Sequence, residues 1–153
     1  MDTLIGLMTT TEGRIGRGQW WLGIVVLIVV SIVLSLILSM VGLGRWAQLI
    51  TYIVLLYPNW CLGLKRRQDR DNSGLDVKIL IGVSGIATLL EAAGIGVTMT
   101  DIGNGVLMPM PDLWLSAIFL AMALLGLYLL VQLGFLRGTA GPNSYGPDPL
   151  ERA

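Results

Sequence analysis

The sequence predicts an all-α polytopic membrane protein, in which four transmembrane helices form a bundle and both termini lie in the cytoplasm. Of the 153 residues, 54% are hydrophobic and only 13% are charged, whereas soluble domains carry about 25% charged residues. Four apolar runs are long enough to cross a hydrocarbon core of roughly 30 Å. The basic residues lie beside these runs in a pattern that indicates their orientation. Residues 1–153 are therefore treated as a single membrane domain.

The four apolar runs define the predicted spans. They cover about residues 20–43, 46–64, 77–97 and 113–136, between a cytoplasmic lead of residues 1–19 and a cytoplasmic tail of residues 137–153. At 1.5 Å per helical residue the first run is roughly 36 Å long, which is sufficient to cross a bilayer with some tilt.

Small residues recur along one face of the first predicted span, and a glycine reduces the side-chain bulk of the fourth. Ser31, Ser35 and Ser39 are spaced four residues apart, and Gly126 lies within the fourth span. In lipid, helices associate where small side chains permit close approach, so this pattern favours helix packing; a polar channel lining is the alternative for the serine face. We expect Gly126→Leu to crowd a helix seam, and Gln132 to form a hydrogen bond between helices.

Two segments outside the spans are rich in turn-forming residues. Residues 98–112 are predicted to form a loop, because they contain Gly103, Asn104, Pro109 and Pro111. The segment of residues 138–149 holds three of the six prolines. Its composition is typical of a disordered end, and its repeated Gly-Pro and Asn/Asp signals also suit a chain of ordered turns.

The distribution of basic residues predicts the orientation. With four spans, nine of the ten basic residues fall on one side, and only Arg45 falls on the other. The positive-inside rule places the nine in the cytoplasm. These nine are Arg14, Arg17, Lys65, Arg66, Arg67, Arg70, Lys78, Arg137 and Arg152. All five tryptophans fall near predicted span ends, as expected for an interfacial aromatic belt.

Composition also argues against several classes of function. The chain has no His and a single Cys, Cys61, so it has neither a Cys/His zinc set nor an internal disulfide. Its net charge is zero, which disfavours nucleic acid as a partner. We therefore predict no metal, no cofactor, no catalytic residue and no enzyme activity, and we interpret Cys61 as a small buried hydrophobic residue.

A dense charged block, residues 65–74, separates the second and third predicted spans. We expect it to lie in water at the membrane surface, as a binding site or as a solvated loop that sets the topology. Its arginines offer forked donors to a phosphate and its lysine a point charge, whereas its aspartates can pair with the arginines internally. The candidate binding residues in this block are Lys65, Arg66, Arg67, Asp69, Arg70, Asp71 and Ser73.

A second candidate site lies inside the third predicted span. Ser84, Thr88 and Glu91 follow the i, i+4, i+7 spacing of one helix face. A charged residue within the membrane costs about 2.5–3.5 kcal/mol on insertion scales and is a functional candidate for that reason. Glu91 is interpreted either as a proton- or ion-handling group or as a protonated or hydrogen-bonded group in the bundle.

Three sequence blocks together resemble domain-of-unknown-function family 805, a family of small bacterial inner-membrane proteins. The blocks are Gly13-Arg14-Ile15-Gly16-Arg17 before Trp20-Trp21, then Lys65-Arg66 with Asp69-Arg70-Asp71-Asn72-Ser73-Gly74, and finally residues 138–149, which contain Asn143-Ser144-Tyr145-Gly146. The resemblance implies a multi-pass protein of the bacterial inner membrane and adds Arg14, Arg17, Asn143 and Tyr145 to the binding candidates. It implies no activity, since none is assigned to the family.

The chain departs from the family pattern at two places in the charged block. Gln68 stands where the family usually has His before the Asp, and Leu75-Asp76 stands where aromatic residues usually follow Ser-Gly. A mechanism that required the imidazole would not transfer to this chain.

These observations support three functional hypotheses. In the first, the tail packs on the charged block and forms a cytoplasmic platform that binds an anionic phospholipid headgroup or another membrane protein. In the alternative, the chain is a small transporter or channel that uses Glu91 with Ser84 and Thr88, and its short length would require a homo-oligomer. The third hypothesis is an enzyme acting on a lipid phosphate with Asp69 as the base.

Overall fold

The computed structural model describes residues 4–151; Arg152, one of the nine basic residues predicted to be cytoplasmic, lies outside the described residues. The chain forms five α-helices, one π-helix and two strands within this range. In order they are α1 (Leu4–Thr9), α2 (Arg17–Met40), α3 (Trp46–Gln68), α4 (Leu75–Ala93), β1 (Val97–Asp101), β2 (Leu107–Pro111), α5 (Leu113–Leu130) and the π-helix (Val131–Phe135). The short helix α1 lies within the predicted lead.

The four long helices run alternately up and down. Helix α3 packs against α2 and α4, α4 packs against α5, and the π-helix packs against α2. The start of α2 meets the π-helix, where the Trp21 Nε1–H donates to the Gly134 carbonyl at 3.1 Å. The end of α3 meets the start of α4 through the Arg67–Asp76 ion pair. We call this end of the bundle, where the arginines gather, the basic end.

Three segments of the described chain are long and apolar enough to cross a membrane: Arg17–Met40, Trp46–Gln68 and Leu113–Phe135. Helix α4 carries Asp76, Lys78 and Glu91. Its uncharged stretch between Lys78 and Glu91 is about 18 Å long, which is shorter than the hydrocarbon core. The predicted membrane character is therefore confirmed, and three of the four predicted spans correspond to candidate membrane helices.

The connection between α4 and α5 corrects the prediction of an all-α chain with a loop at residues 98–112. Strands β1 and β2 form an antiparallel hairpin, in a register that pairs Val97 with Pro111 and Asp101 with Leu107. Helix α4 ends at Ala93, short of the predicted Val97, because Gly94 adopts a left-handed conformation with φ of 76°. A glycine in this conformation is a common way to end a helix.

The second predicted span, by contrast, ended too early, at residue 64. Helix α3 continues to Gln68, so its last turn contains Lys65, Arg66 and Arg67, where cationic side chains interact favourably with the helix dipole. The exposed fractions of Lys65, Arg66, Arg67 and Asp69 are 2%, 0%, 5% and 3%. The expectation that the whole charged block lies in water is therefore wrong for these four residues.

Close helix packing occurs at glycines other than the predicted one. A Cβ placed on Gly23 would lie 2.7 Å from the Leu62 side chain, and one on Gly63 would lie 2.6 Å from Val77. By contrast, a Cβ on Gly126 would meet no atom within 4 Å, because Gly126 borders a cavity. The prediction that Gly126→Leu crowds a helix seam is therefore wrong.

Candidate functional site

The tail folds back onto the charged block at the basic end. The Thr139 N–H donates to the Asp69 carbonyl at 2.8 Å, and the Asn143 side-chain amide donates to the Gln68 carbonyl at 2.9 Å. The Ser144 N–H donates to the Asp71 carboxylate at 3.2 Å. Of the two interpretations of this segment, the chain of ordered turns matches the structure. We call residues 138–149 the docked tail.

Asp69 is the centre of the contact between the tail and the bundle. Its Oδ1 accepts a hydrogen bond from the Arg14 Nε at 3.1 Å, and its Oδ2 accepts one from Arg66. Its backbone carbonyl accepts both the N–H and the hydroxyl of Thr139. Gly138 passes so close that a Cβ there would lie 2.0 Å from Oδ2. One aspartate therefore joins the lead, the end of α3 and the tail.

Arg14 connects the lead to three points of the docked tail. Its guanidinium donates to the carbonyls of Thr139 at 2.6 Å, Gly141 at 2.7 Å and Gly146 at 3.1 Å. Because Arg14 also pairs with Asp69, its charge is balanced where it is buried, as a buried charge requires. Arg14 was predicted as a binding residue from the family resemblance, and here it binds the tail.

Arg66 satisfies the backbone at the end of the π-helix. Its Nε donates to the Leu133 carbonyl at 2.6 Å, and its Nη2 donates to the Leu136 carbonyl. Arg17 donates to the Phe135 carbonyl at 3.1 Å. The last carbonyls of a helix lack intrahelical partners, so these arginines supply hydrogen bonds and a favourable positive charge.

The neighbouring arginines are also engaged within the protein. Arg67 forms a forked pair with the Asp76 carboxylate, through its Nε at 3.0 Å and its Nη2. Arg67 and Arg70 both donate to the Gln132 side-chain oxygen. The predicted interhelical hydrogen bond of Gln132 is thereby confirmed. Asp76, one of the two departures from the family pattern, is the partner that neutralises Arg67.

The remaining candidates occupy the edge of the site. The Lys65 ammonium donates to the Gly6 carbonyl of α1 at 2.5 Å. Asp71 has a left-handed backbone with φ of 54° and accepts the Ser144 N–H. Ser73 is exposed. The Tyr145 N–H donates to the Asn143 Oδ1 at 2.9 Å, which closes a turn of the docked tail.

A cavity of about 300 Å³ opens between the docked tail and the start of α2. We call it the basic-end cavity. Arg17 and Arg137 border it with exposed side chains, and Arg66, Asp69 and Asp148 also contribute to its wall. Arg137 and Asp148 were not predicted as site residues, because nothing in the local sequence separates them from an ordinary polar tail.

The Asp148 carboxylate of the docked tail accepts backbone hydrogen bonds, which predicts that acid loosens this segment. Its carboxylate accepts the N–H groups of Leu150 at 2.9 Å and Gly141 at 3.2 Å. The Leu150 hydrogen bond is the main cause that lowers the pKa of Asp148 below its ordinary value of 3.8; burial opposes the shift, and Gly141, Arg14 and Arg137 reinforce it. Because the folded-state pKa is depressed, this stabilisation is complete above the unfolded pKa and is lost as the pH falls through the folded pKa.

We expect Asp148→Asn to loosen the docked tail at pH 7 in the way that acid loosens the wild type. Amide hydrogen exchange of residues 138–149 checks this, with the variant at pH 7 and the wild type at pH 7 and at about pH 3 compared after correction for intrinsic rates. Glu151→Gln, next to the tail, is the control and should leave exchange unchanged. Equal protection of the variant and the wild type at pH 7 would contradict the assigned role of Asp148.

The structure places Glu91 apart from the other two candidates of the third predicted span, Ser84 and Thr88. Ser84 and Thr88 line a half-open cavity of about 550 Å³ between α2, α3, α4 and α5, which we call the bundle cavity. Glu91 is exposed and does not contribute to its wall. The carboxylate therefore does not lie beside the two hydroxyls on a common pathway.

Comparison with known families decides the relationship that the three blocks suggested. The family model described as "Protein of unknown function (DUF805)" matches residues 8–147. The chain belongs to the DUF805 family. The match includes Arg14, the charged block and the docked tail as far as Pro147. Comparisons with curated proteins and with solved structures gave no match.

The fold gives a physical meaning to the sequence blocks of this DUF805 protein. Blocks that lie up to 75 residues apart in the sequence are joined by direct hydrogen bonds at the basic end. Gln68, which replaces the usual His, offers its backbone carbonyl to Asn143, while its side-chain oxygen is buried and has no partner among residues 4–151. The departure therefore lies where the docked tail meets α3.

Proposed function

We propose that this DUF805 protein is a four-span protein of the bacterial inner membrane, with both termini in the cytoplasm, and that its basic end binds the headgroup of an anionic phospholipid. Helix α4 is the fourth span in this proposal, since its charged residues lie near its two ends and Asp76 is paired with Arg67. Several basic residues from distant parts of the chain gather at one end of the bundle, as the positive-inside rule expects of a cytoplasmic face.

The observation that supports headgroup binding is the pair of exposed arginines beside the basic-end cavity. Arg66 and Arg67 are occupied by carboxylates and carbonyls within the protein. Arg17 uses one nitrogen for the Phe135 carbonyl, and Arg137 makes no hydrogen bond to any residue in the range 4–151. Their remaining donors are available to phosphate oxygens, which arginine binds in forked geometry.

The position of these arginines agrees with a lipid ligand. Arg17 is the first residue of α2, and Arg137 follows the π-helix, so both lie at the end of an apolar helix. A side chain at this level reaches the phosphate layer of the membrane while the helix remains in hydrocarbon. The start of α2 also contributes the positive end of the helix dipole.

Asp69 takes no catalytic role in this proposal. Both of its carboxylate oxygens accept hydrogen bonds from guanidinium groups, and its side chain is 5% exposed. A general base needs an accessible lone pair within hydrogen-bonding distance of the proton that it removes. We therefore assign Asp69 to the assembly of the platform.

The double variant Arg17→Gln/Arg137→Gln is expected to weaken phosphatidylglycerol binding at least about tenfold, since a hydrogen bond to a charged group contributes about 1.5–3 kcal/mol. Native mass spectrometry in a neutral detergent measures this binding. Phosphatidylcholine with the same acyl chains, which has no net charge, is the comparison lipid. Competition with glycerol 3-phosphate separates a lipid ligand from a free phosphate compound.

Arg45→Gln is the control, because Arg45 is an exposed arginine at the opposite end of the bundle. We expect it to leave phosphatidylglycerol binding unchanged. Equal phosphatidylglycerol retention by the double variant and the wild type would overturn the proposal, and the membrane-protein partner would then become the leading interpretation of the platform.

A further inference from the structure

The bundle cavity is independent of the basic-end platform in position and in chemistry. It extends along α2 from Trp20 to Ser35, which corresponds to about 22 Å of helix length. Its volume of about 550 Å³ lies within the usual range for small-molecule sites. Three of the four helices that border it contain the candidate membrane spans, so in a membrane this half-open cavity faces lipids.

The wall of the bundle cavity changes character along its length. Toward the basic end it is mostly apolar, with Ile24, Val77 and Leu133 as examples. Toward the opposite end it presents the polar side chains of Ser35, Thr51, Gln48, Ser84 and Thr88. No charged side chain of the described residues lines it. This division matches an amphipathic molecule with an uncharged polar head.

Several polar groups of the wall have no hydrogen-bond partner in the part of the chain that the structure describes. Trp20 is 4% exposed, and its buried indole N–H has no acceptor among residues 4–151. Gln48 is exposed and Ser84 and Thr88 are half-buried, and these three side chains of the wall make no hydrogen bond within the same range. An unsatisfied polar group facing hydrocarbon is costly. The hydroxyl or carbonyl groups of a ligand would satisfy the side chains of Gln48, Ser84 and Thr88 at the opposite end of the cavity, whereas a plain acyl chain would not.

We propose that the bundle cavity binds an uncharged amphipathic lipid, with its hydroxyl- or ester-bearing head among Ser35, Thr51, Ser84 and Thr88 and its hydrocarbon chain along the apolar wall toward Trp20. The sequence allowed two interpretations of the serine face of the first span, helix packing or a polar lining. In this proposal the face contributes to the polar lining of the site. Ser35 donates to the Thr51 hydroxyl at 3.1 Å, and the two hydroxyls together form a polar patch beside the head.

Gly126 permits a direct test. It lines the cavity, and a Cβ placed on it would meet no atom within 4 Å. The first carbon that Gly126→Leu adds therefore enters open space, the rest of the side chain adds volume beside the cavity, and leucine is the better helix former. We expect this variant to fold and to bind mono-oleoylglycerol at least tenfold more weakly than the wild type, as measured by native mass spectrometry in a neutral detergent.

Gly82→Leu is the matched control. Gly82 is an exposed residue of α4 where an added Cβ would meet no atom within 4 Å, and it does not line the cavity. The Gly82→Leu variant should bind mono-oleoylglycerol like the wild type, and so should Arg17→Gln/Arg137→Gln, which separates this inference from the proposed headgroup site. Lyso-phosphatidylglycerol with the same chain should be excluded from the cavity and should not respond to Gly126→Leu.

Three results would overturn the inference. They are equal binding of mono-oleoylglycerol by Gly126→Leu and the wild type, a cavity that binds the anionic lyso-lipid as well as the uncharged one, and a wild type that binds neither. If the first of these results came with a change of oligomeric state in Gly126→Leu, the cavity would be assigned to a second copy of the chain.

Discussion

Replacing Arg66 with methionine is expected to lower the free energy of unfolding by about 3–5 kcal/mol, the typical effect of removing one partner of a buried ion pair. Arg66 is fully buried and is the donor to Asp69 and to the carbonyls of Leu133 and Leu136. Methionine fills a similar volume but leaves these acceptors without that donor. Equilibrium unfolding of the purified protein in mixed micelles measures the loss.

The same substitution at an exposed arginine is the control. Arg45→Met removes a guanidinium from the opposite end of the bundle, where a change in stability of no more than about 0.5 kcal/mol is expected. A loss at Arg66 as small as that at Arg45 would show that the buried ion pair adds little to stability. The basic end would then be held chiefly by its apolar contacts.

Stable folding and the proposed anion binding place opposite requirements on the arginines of the basic end. Burying Arg14, Arg66 and Arg67 requires that carboxylates and carbonyls balance their charge, and these contacts withdraw the three arginines from external ligands. Once they are engaged, the exposed cations beside the cavity are Arg17 and Arg137. The buried set thus fixes the platform, and in the proposed function the exposed pair is the part that binds the anion.

Composition was sufficient to predict the long helices, because runs of about 20 apolar residues have few alternatives to a membrane span. The hairpin escaped prediction because Gly103, Asn104, Pro109 and Pro111 are typical of loops. In a two-stranded sheet, however, proline can occupy an edge position where no ladder hydrogen bond is needed. The turn residues therefore predicted where the chain reverses. They did not predict the strands on either side, because those strands form only by pairing with each other.

The candidate site was predicted in its residues and only partly in its geometry. Charge density identified the block around Asp69, but a local pattern does not reveal that Arg14 pairs with it across 55 residues or that Thr139 binds it across 70. Burial of the arginines depends on these distant partners, so the sequence favoured a solvated block. The bundle cavity was equally hidden, since Gly126 has the same appearance in a sequence whether it faces a helix or an empty volume.

Gly138→Ala tests the docked tail with the smallest possible change. A Cβ at this position would lie 2.0 Å from Oδ2 and 2.8 Å from the backbone oxygen of Asp69, so the tail or Asp69 must move. Overpacking of this kind costs about 1–3 kcal/mol. Because 1.4 kcal/mol corresponds to a factor of ten, we expect the hydrogen exchange of residues 138–149 to become roughly tenfold faster or more, with little change in the helices.

Two control substitutions of similar size distinguish the loss of the Asp69 contact from a general effect of adding one heavy atom. Ala140→Ser changes an exposed residue of the same tail, and Gly82→Ala adds a methyl group to a helix where no atom lies within 4 Å. Both should preserve the protection of the tail, because neither new atom approaches Asp69. If Gly138→Ala keeps full protection as well, the tail tolerates displacement from Asp69, and its docking must depend on the Arg14 carbonyl contacts instead. Combining it with Arg14→Gln would then release the tail.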